Sequence, residues 1–273
     1  MARGAAHPVG TSTLAVRIAL GVVIAATLNA ASNALNQVTD LDADRINKPG
    51  RPVAAGRISP LAASFASTLA YGLVIATAWT MGAACFAAVC GGAFCTLAYS
   101  LPPLRLKRFG WAANATIALS RGLLLTLAGW TTVATASGPD PWWLGGVMAL
   151  FLRSSVHQGL LGRRGRSRRR LPHPPVRYGV SGTVRRIRHA FVWPFLLLPV
   201  GAWCGALHGD RWILTCTGIV LAAVGGSIVR VLERSPGAVD ASGNHVTWRR
   251  MYLAMLFMQI AVACAYLVPP SGF

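Results

Sequence analysis

Three of the seven acidic residues in this chain, Asp40, Asp42 and Asp44, stand within five positions of one another. They close the stretch Asn36-Gln37-Val38-Thr39-Asp40-Leu41-Asp42-Ala43-Asp44. On a continuous helix Asn36, Asp40 and Asp44 recur every fourth residue and share one face, while Asp42 points away. Two carboxylates and an amide on one face, with no cation on that face, repel one another until something positive sits between them. A hard divalent ion meets that demand, because Mg2+ takes oxygen ligands and commonly binds through one or two carboxylates plus phosphate oxygens. Arg45, Lys48, Arg51 and Arg57 follow directly in DRINKPGRPVAAGRIS, and cations beside a metal site are suited to a diphosphate. The residues alone leave a second reading open: the Asp side chains cap the helix, and the basic residues follow membrane topology.

The elements that must position these residues are apolar. Of 273 residues, 54% are hydrophobic and only 12% charged, which excludes a soluble domain with an ordinary polar surface. The chain reads as one all-α membrane domain over 1–273, a polytopic transmembrane bundle. Spans are expected near 15–37, 60–81, 83–100, 112–135, 141–157, 190–208, 212–232 and 251–269, several of them reaching the roughly 20 residues that cross a bilayer. Eight spans put loops 38–59, 101–111, 158–189 and 233–250 on one side, and these hold nearly all the loop Lys and Arg. The positive-inside rule makes that side cytoplasmic, in a multi-pass protein of the cell membrane. The apolar run after the N-terminus continues past Ala31 into the acidic stretch, so cleavage as a signal peptide is not expected. Cys85, Cys90, Cys95, Cys204, Cys216 and Cys264 lie inside apolar segments without metal spacing and read as packing residues. Trp142, Trp143, Trp193 and Trp212 fall near span ends and suit an interfacial belt. A net charge of +19 permits nucleic-acid binding, but no aromatic residue interleaves the basic run and its neighbours are spans. Membrane lipid is the expected surroundings, and no nucleic-acid partner is expected.

The pattern N-x-x-x-D-x-x-x-D, followed by R-I-N-K-P-x-R-P and G-R-I-S, resembles the first aspartate-rich motif of the UbiA superfamily of membrane prenyltransferases. Tyr99-Ser100-Leu101-Pro102-Pro103-Leu104-Arg105-Leu106-Lys107-Arg108 is similar to that family's Tyr and Lys loop, and Asn114 and Arg121 follow at familiar places. The resemblance implies nine spans around a lipid-open cavity, with the active site under cytoplasmic loops. It implies Mg2+-dependent ionisation of a prenyl diphosphate and alkylation of a hydrophobic, often aromatic, acceptor. By position, Asn36, Asp40 and Asp44 would bind the metal. Asp40, Asp44, Tyr99 and Lys107 would be catalytic, and Lys48, Arg51, Arg105, Lys107 and Arg121 would contact the diphosphate. The alternative is a non-catalytic relative or a cation-binding transporter, since intramembrane acids also mark ion paths. A transporter has no need of the YSLPPLRLKR loop or of diphosphate-holding cations.

This chain departs from the family pattern in three places. Gln37 stands where many members carry Asp, similar to the homogentisate branch, with geranylgeranylglyceryl phosphate prenyltransferases the other near class. Only 35 residues precede Asn36, so the resemblance implies that the family's first helix is missing. The second DxxxD motif is also missing, because 153–175 reads RSSVHQGLLGRRGRSRRRLPHPP and no acid occurs between Asp140 and Asp210. Read one nucleotide later from Gln158 through Pro175, a legal choice of codons gives KDFSDVEGDRAAGCRTLP, which resembles the missing motif. The expectation is a compensated pair of frameshifts, in the gene or in its sequencing. A basic loop that binds anionic headgroups is the other reading of that segment.

Overall fold

The computed structural model describes residues 11–153, 182, 184–234 and 246–268, and among them every regular element is helical. In chain order these are α1 (Thr11–Thr39), α2 (Leu41–Asn47), α3 (Pro60–Met81), α4 (Ala83–Ser100), α5 (Gly110–Ile117), α6 (Leu125–Thr131), α7 (Asp140–Leu152), α8 (Trp193–Trp203), α9 (Arg211–Arg234) and α10 (Val246–Leu267). A π-helical turn, Ala118–Leu124, joins α5 to α6 in one rod. Among the described residues, with the short α2 set aside, eight rods fall at the eight places where hydropathy expects spans. Five of these places (Thr13–Thr39, Pro60–Met81, Ala83–Ser100, Arg211–Arg234 and Val246–Leu267) are each long and apolar enough to cross a bilayer.

Their outer faces are apolar. Val22, Leu61, Phe65, Leu73, Phe94, Ile219 and Leu253 are all more than half exposed, an unpartnered apolar surface that suits lipid and not water.

Two cores lie inside. Ile24, Leu28 and Ala31 of α1 meet Tyr71 and Val74 of α3, Val89 and Ala93 of α4, and Leu127 of α6. Phe151 of α7, Phe195 and Leu198 of α8, Leu214, Leu221 and Ile228 of α9 and Met251 of α10 form the other. The halves join where α7 runs along the π-helical turn, and glycines permit the approach: a Cβ on Gly145 would lie 2.6 Å from Leu123 Cδ1. This is small-residue packing of the kind that holds membrane helices together.

Polar groups inside the bundle are answered locally. Arg17 donates to the backbone oxygens of Thr132 at 2.6 Å and Met81 at 3.1 Å, satisfying carbonyls at the ends of two other rods. Asp140 accepts from the His208 backbone N–H at 2.8 Å and from the Tyr266 hydroxyl, and His208 Nδ1 lies 2.8 Å from its other oxygen. Asp210 caps α9 by accepting from Ile213 N at 2.8 Å. These two acids therefore tie α7, α9 and α10 together at the end opposite Asp40.

Several sequence expectations need correction. The span expected to reach 208 ends as α-helix at Trp203, because Gly205 adopts φ +78° and turns the chain. The last span begins five residues earlier than 251, at Val246. Trp142, Trp193 and Trp212 are exposed as expected, but Trp143 turns inward and donates to Leu197 O at 2.9 Å. Cys204, Cys216 and Cys264 face outward and do not pack inside.

Neighbouring glycines of α9 test this packing. A Cβ on Gly225 would land on the carbonyl of Phe191, whereas one on Gly226 meets nothing within 4 Å. Gly225→Ala is expected to destabilise the bundle by about 2 kcal/mol, and Gly226→Ala to be neutral or stabilising by up to about 1 kcal/mol. Unfolding midpoints of the two variants in detergent check this, and equal effects would contradict the close approach.

Candidate active site

Helix α1 ends where chemistry was expected. Asp40 leaves helical geometry at φ −111° and ψ 13°, yet the four-residue hydrogen bonds continue through it. Asp40 N donates to Asn36 O at 3.0 Å, Asp44 N to Asp40 O at 2.8 Å and Lys48 N to Asp44 O at 2.7 Å. The shared face of Asn36, Asp40 and Asp44 therefore survives the junction with α2. Asp44 is buried, whereas Asp42 is exposed.

Two loops bring cations to this face. Leu101–Phe109 returns from α4, with Arg105 in the left-handed region at φ 40°, and a tight 3-10 turn over Leu106–Arg108 then buries Lys107. Lys107 Nζ lies 2.9 Å from Asp40 Oδ1 and donates to Asn36 Oδ1 at 3.2 Å and Thr39 Oγ1 at 2.6 Å. An ammonium has three donors, and here all three are used. Burial pushes Lys107 below the usual lysine range, while the Asp40 carboxylate acts in the opposite sense. Arg105 donates to Thr39 O at 2.9 Å, answering a carbonyl at the end of α1, and lies 4.0 Å from Asp40 Oδ1.

The second loop, 48–59, carries Arg51, whose Nη1 is 2.6 Å from Asp44 Oδ2. Gln37 holds this loop from below by accepting from Val53 N at 3.4 Å. Arg57 closes it on Gly50 O at 2.6 Å, and Ser59 ends it by accepting from Ala62 N at 3.1 Å as the cap of α3.

Of the residues expected from sequence, the structure brings together Asn36, Asp40, Asp44, Arg51, Arg105 and Lys107. Tyr99 stands half-buried in the last turn of α4, and Lys48 at the end of α2. Arg121 lies apart in the π-helical turn, where it donates to Asn33 Oδ1 at 3.4 Å, one turn before Asn36. Asn33, Thr39 and the loop-holding role of Gln37 were not anticipated. Asn33 had a signal, a polar residue three positions before Asn36 in an apolar helix. The segment 158–175, for which a frameshift is expected, lies outside the described residues.

The donor set suits one hard cation. Asn36 Oδ1, Thr39 Oγ1 and Asp40 Oδ1 already converge on a positive centre, the Lys107 ammonium, and Asp44 Oδ2 on a second, Arg51. Among the described residues no three His, Cys, Asp or Glu cluster as a metal cage. Two carboxylates and an amide are nonetheless the sparse oxygen set with which Mg2+ binds when phosphate oxygens complete its shell.

A profile of the UbiA prenyltransferase family matches residues 2–256. Among curated proteins, the chain is 36% identical over 103 residues to the bacteriochlorophyll synthase 33 kDa chain of Cereibacter sphaeroides, covering 37% of this chain and 34% of that one. It is 39% identical over 93 residues to homogentisate phytyltransferase of Synechocystis, covering 34% and 30%. It is 34% identical over 123 residues to digeranylgeranylglyceryl phosphate synthase of Methanoculleus marisnigri, covering 44% and 42%. The matches thus span about a third to two fifths of these relatives. A UbiA homolog from Archaeoglobus fulgidus bound to DMAPP and Mg2+ shares the fold, with a TM-score of 0.73 at 17% identity over 92% of this chain and 88% of that one. A UbiA homolog from Aeropyrum pernix K1 does so with a TM-score of 0.69 at 16% identity, over 94% and 90%.

Asp44→Asn tests whether the ion pair with Arg51 holds loop 48–59 in place. Tryptic cleavage after Arg57, followed by mass spectrometry, is expected to accelerate several-fold as the loop opens. An unchanged rate would assign the loop's order to Gln37 and the Arg57 closure alone.

Proposed function

The chain belongs to the UbiA prenyltransferase family, and we propose that, with its second catalytic loop read in frame, it transfers a prenyl group from a prenyl diphosphate to a hydrophobic, aromatic acceptor within the membrane. The observation that carries this reading is the meeting of Lys107 and Arg51, from two loops, with Asp40 and Asp44 at the end of α1. A site for a cation alone has no use for two more cations. A site for a metal with a diphosphate needs both kinds of charge.

In this reading Asn36, Asp40 and Asp44 would hold Mg2+, which would offset charge on the leaving diphosphate. Lys107, Arg51, Arg105 and Lys48 bind the diphosphate oxygens, where negative charge grows as the bond to the prenyl carbon breaks. Donors already aimed at developing charge lower the barrier most. Tyr99 lines the site, and Arg121, held one turn away on Asn33, is the remaining candidate to contact the diphosphate. The apolar helices exclude water that would quench the allylic cation before the acceptor is alkylated and loses a proton. The names of the curated relatives, which act on homogentisate or make bacteriochlorophyll or a glyceryl phosphate lipid, support a ring or lipid acceptor.

A second reading rests on one specific observation, that no acid occurs between Asp140 and Asp210. The polypeptide as written is then catalytically silent, lacking the second carboxylate pair that the family pattern implies. We assign 158–175 to a compensated frameshift and take KDFSDVEGDRAAGCRTLP as the intended segment.

In a chain carrying that segment, Asp40→Ala and Asp44→Ala are each expected to lower Mg2+-dependent transfer of a labelled prenyl group at least about a thousand-fold. Asp42→Ala, off the shared face, should cost less than about tenfold. Activity that survives both core substitutions removes the metal site from the reading.

Orientation has its own test. Single cysteines placed in 45–57 and 101–108 are expected to label from the cytoplasmic side of the cell membrane, and those in 136–140 and 209–211 from the opposite side. One loop on the wrong side contradicts the basic-side assignment.

A further inference from the structure

The cations and carboxylates of this site are already engaged with each other. Lys107 Nζ occupies the point where Asn36 Oδ1, Thr39 Oγ1 and Asp40 Oδ1 converge, at 3.2, 2.6 and 2.9 Å. A metal ligated by Asp40 and Asn36 needs those same oxygens. Lys107 is buried, with 7% of its surface exposed, so the ammonium has no open solvent to retreat into and must find another anion when it leaves. Arg51 repeats the arrangement on Asp44 at 2.6 Å. Both cations are also the groups assigned to the diphosphate.

We propose that Asp40 and Asp44 hold the site's own diphosphate-binding cations as a counter-ion lock, so that divalent metal and diphosphate enter together by exchange of partners. Carboxylate–ammonium and carboxylate–guanidinium pairs give way to carboxylate–metal and cation–phosphate pairs, and no buried charge is left unpaired at any stage. Metal alone would strand Lys107 beside a second cation. Diphosphate alone would strand Asp40 beside a second anion. Each ligand therefore raises the affinity for the other, as linkage requires. The lock rests on the reading of Asn36, Asp40 and Asp44 as metal ligands.

Binding to the full chain in detergent, at one fixed pH and without prenyl substrate, separates the two ideas. The first probe is Mn2+ alone, followed by electron paramagnetic resonance. The second is labelled inorganic pyrophosphate alone, with EDTA present. Lys107→Met is expected to tighten Mn2+ binding about tenfold, equivalent to about 1.4 kcal/mol. Asp40→Asn is expected to abolish Mn2+ binding and to tighten metal-free pyrophosphate binding by a similar factor, because Lys107 is released. Lys107→Gln, which keeps a polar head group against Asn36 and Thr39, replaces Lys107→Met if that chain does not fold. Mn2+ binding lost in Asp40→Asn but no tighter in either Lys107 variant overturns the lock and leaves the metal site standing. Mn2+ binding that survives Asp40→Asn overturns the metal site and the lock with it.

Discussion

A buried charge in an apolar bundle must be neutralised where it stands, and the pairing of Asp40 with Lys107 meets that constraint at the end of α1. It brings the chain leaving α4 back over α1, with Arg105 in the left-handed region at φ 40° and a tight turn that delivers the ammonium. The Arg51–Asp44 pair does the same for loop 48–59, with Gln37 holding the loop's backbone. Two loops that share no element are thus set around one helix end by charge. The remaining rods supply the low-dielectric walls that make the pairing strong.

The opposite end of the bundle obeys the same constraint with a different outcome. Asp140 is satisfied by His208 and Tyr266, and Asp210 caps α9. These contacts join chain ends of the second core. Acidity in an apolar chain therefore does not by itself mark a site. What separates Asp40 and Asp44 is the pair of basic loops turned toward them.

Much of this was legible in the residues. The hydropathy of the spans follows from their lipid-facing side chains, so the rods among the described residues appear where apolar stretches lie. The shared face of Asn36, Asp40 and Asp44 follows from four-residue spacing, which a local change of backbone at Asp40 does not disturb. Other features depend on distant partners. Thr39 becomes a ligand of Lys107 only because the backbone turns at Arg105, and Trp143 turns inward only because Leu197 offers a carbonyl 54 positions away. The π-helical turn that places Arg121 beside Asn33 contains Gly122, but a lone Gly in an apolar helix does not announce a π-helical turn, because what it permits here is the approach of α7 at Ala149. The end at Trp203 is not legible because hydropathy continues beyond the turn at Gly205, and the start at Val246 is not legible for the opposite reason, since the helix begins in the polar stretch Val246–Arg250 ahead of the apolar run.

Asp40 and Asp44 stand among cations in this chain, whereas the sequence from Arg163 to Arg170 holds six arginines and no carboxylate. In the proposed reading, the activity of the protein turns on what the gene encodes there. The most direct measurement compares membranes holding equal amounts of the chain as written and of the chain carrying KDFSDVEGDRAAGCRTLP at 158–175. Both receive labelled prenyl diphosphates, Mg2+ and a panel of aromatic and lipid acceptors. Mg2+-dependent product is expected from the second chain and none from the first. Robust turnover by the chain as written, or silence from both, would contradict the proposed reading.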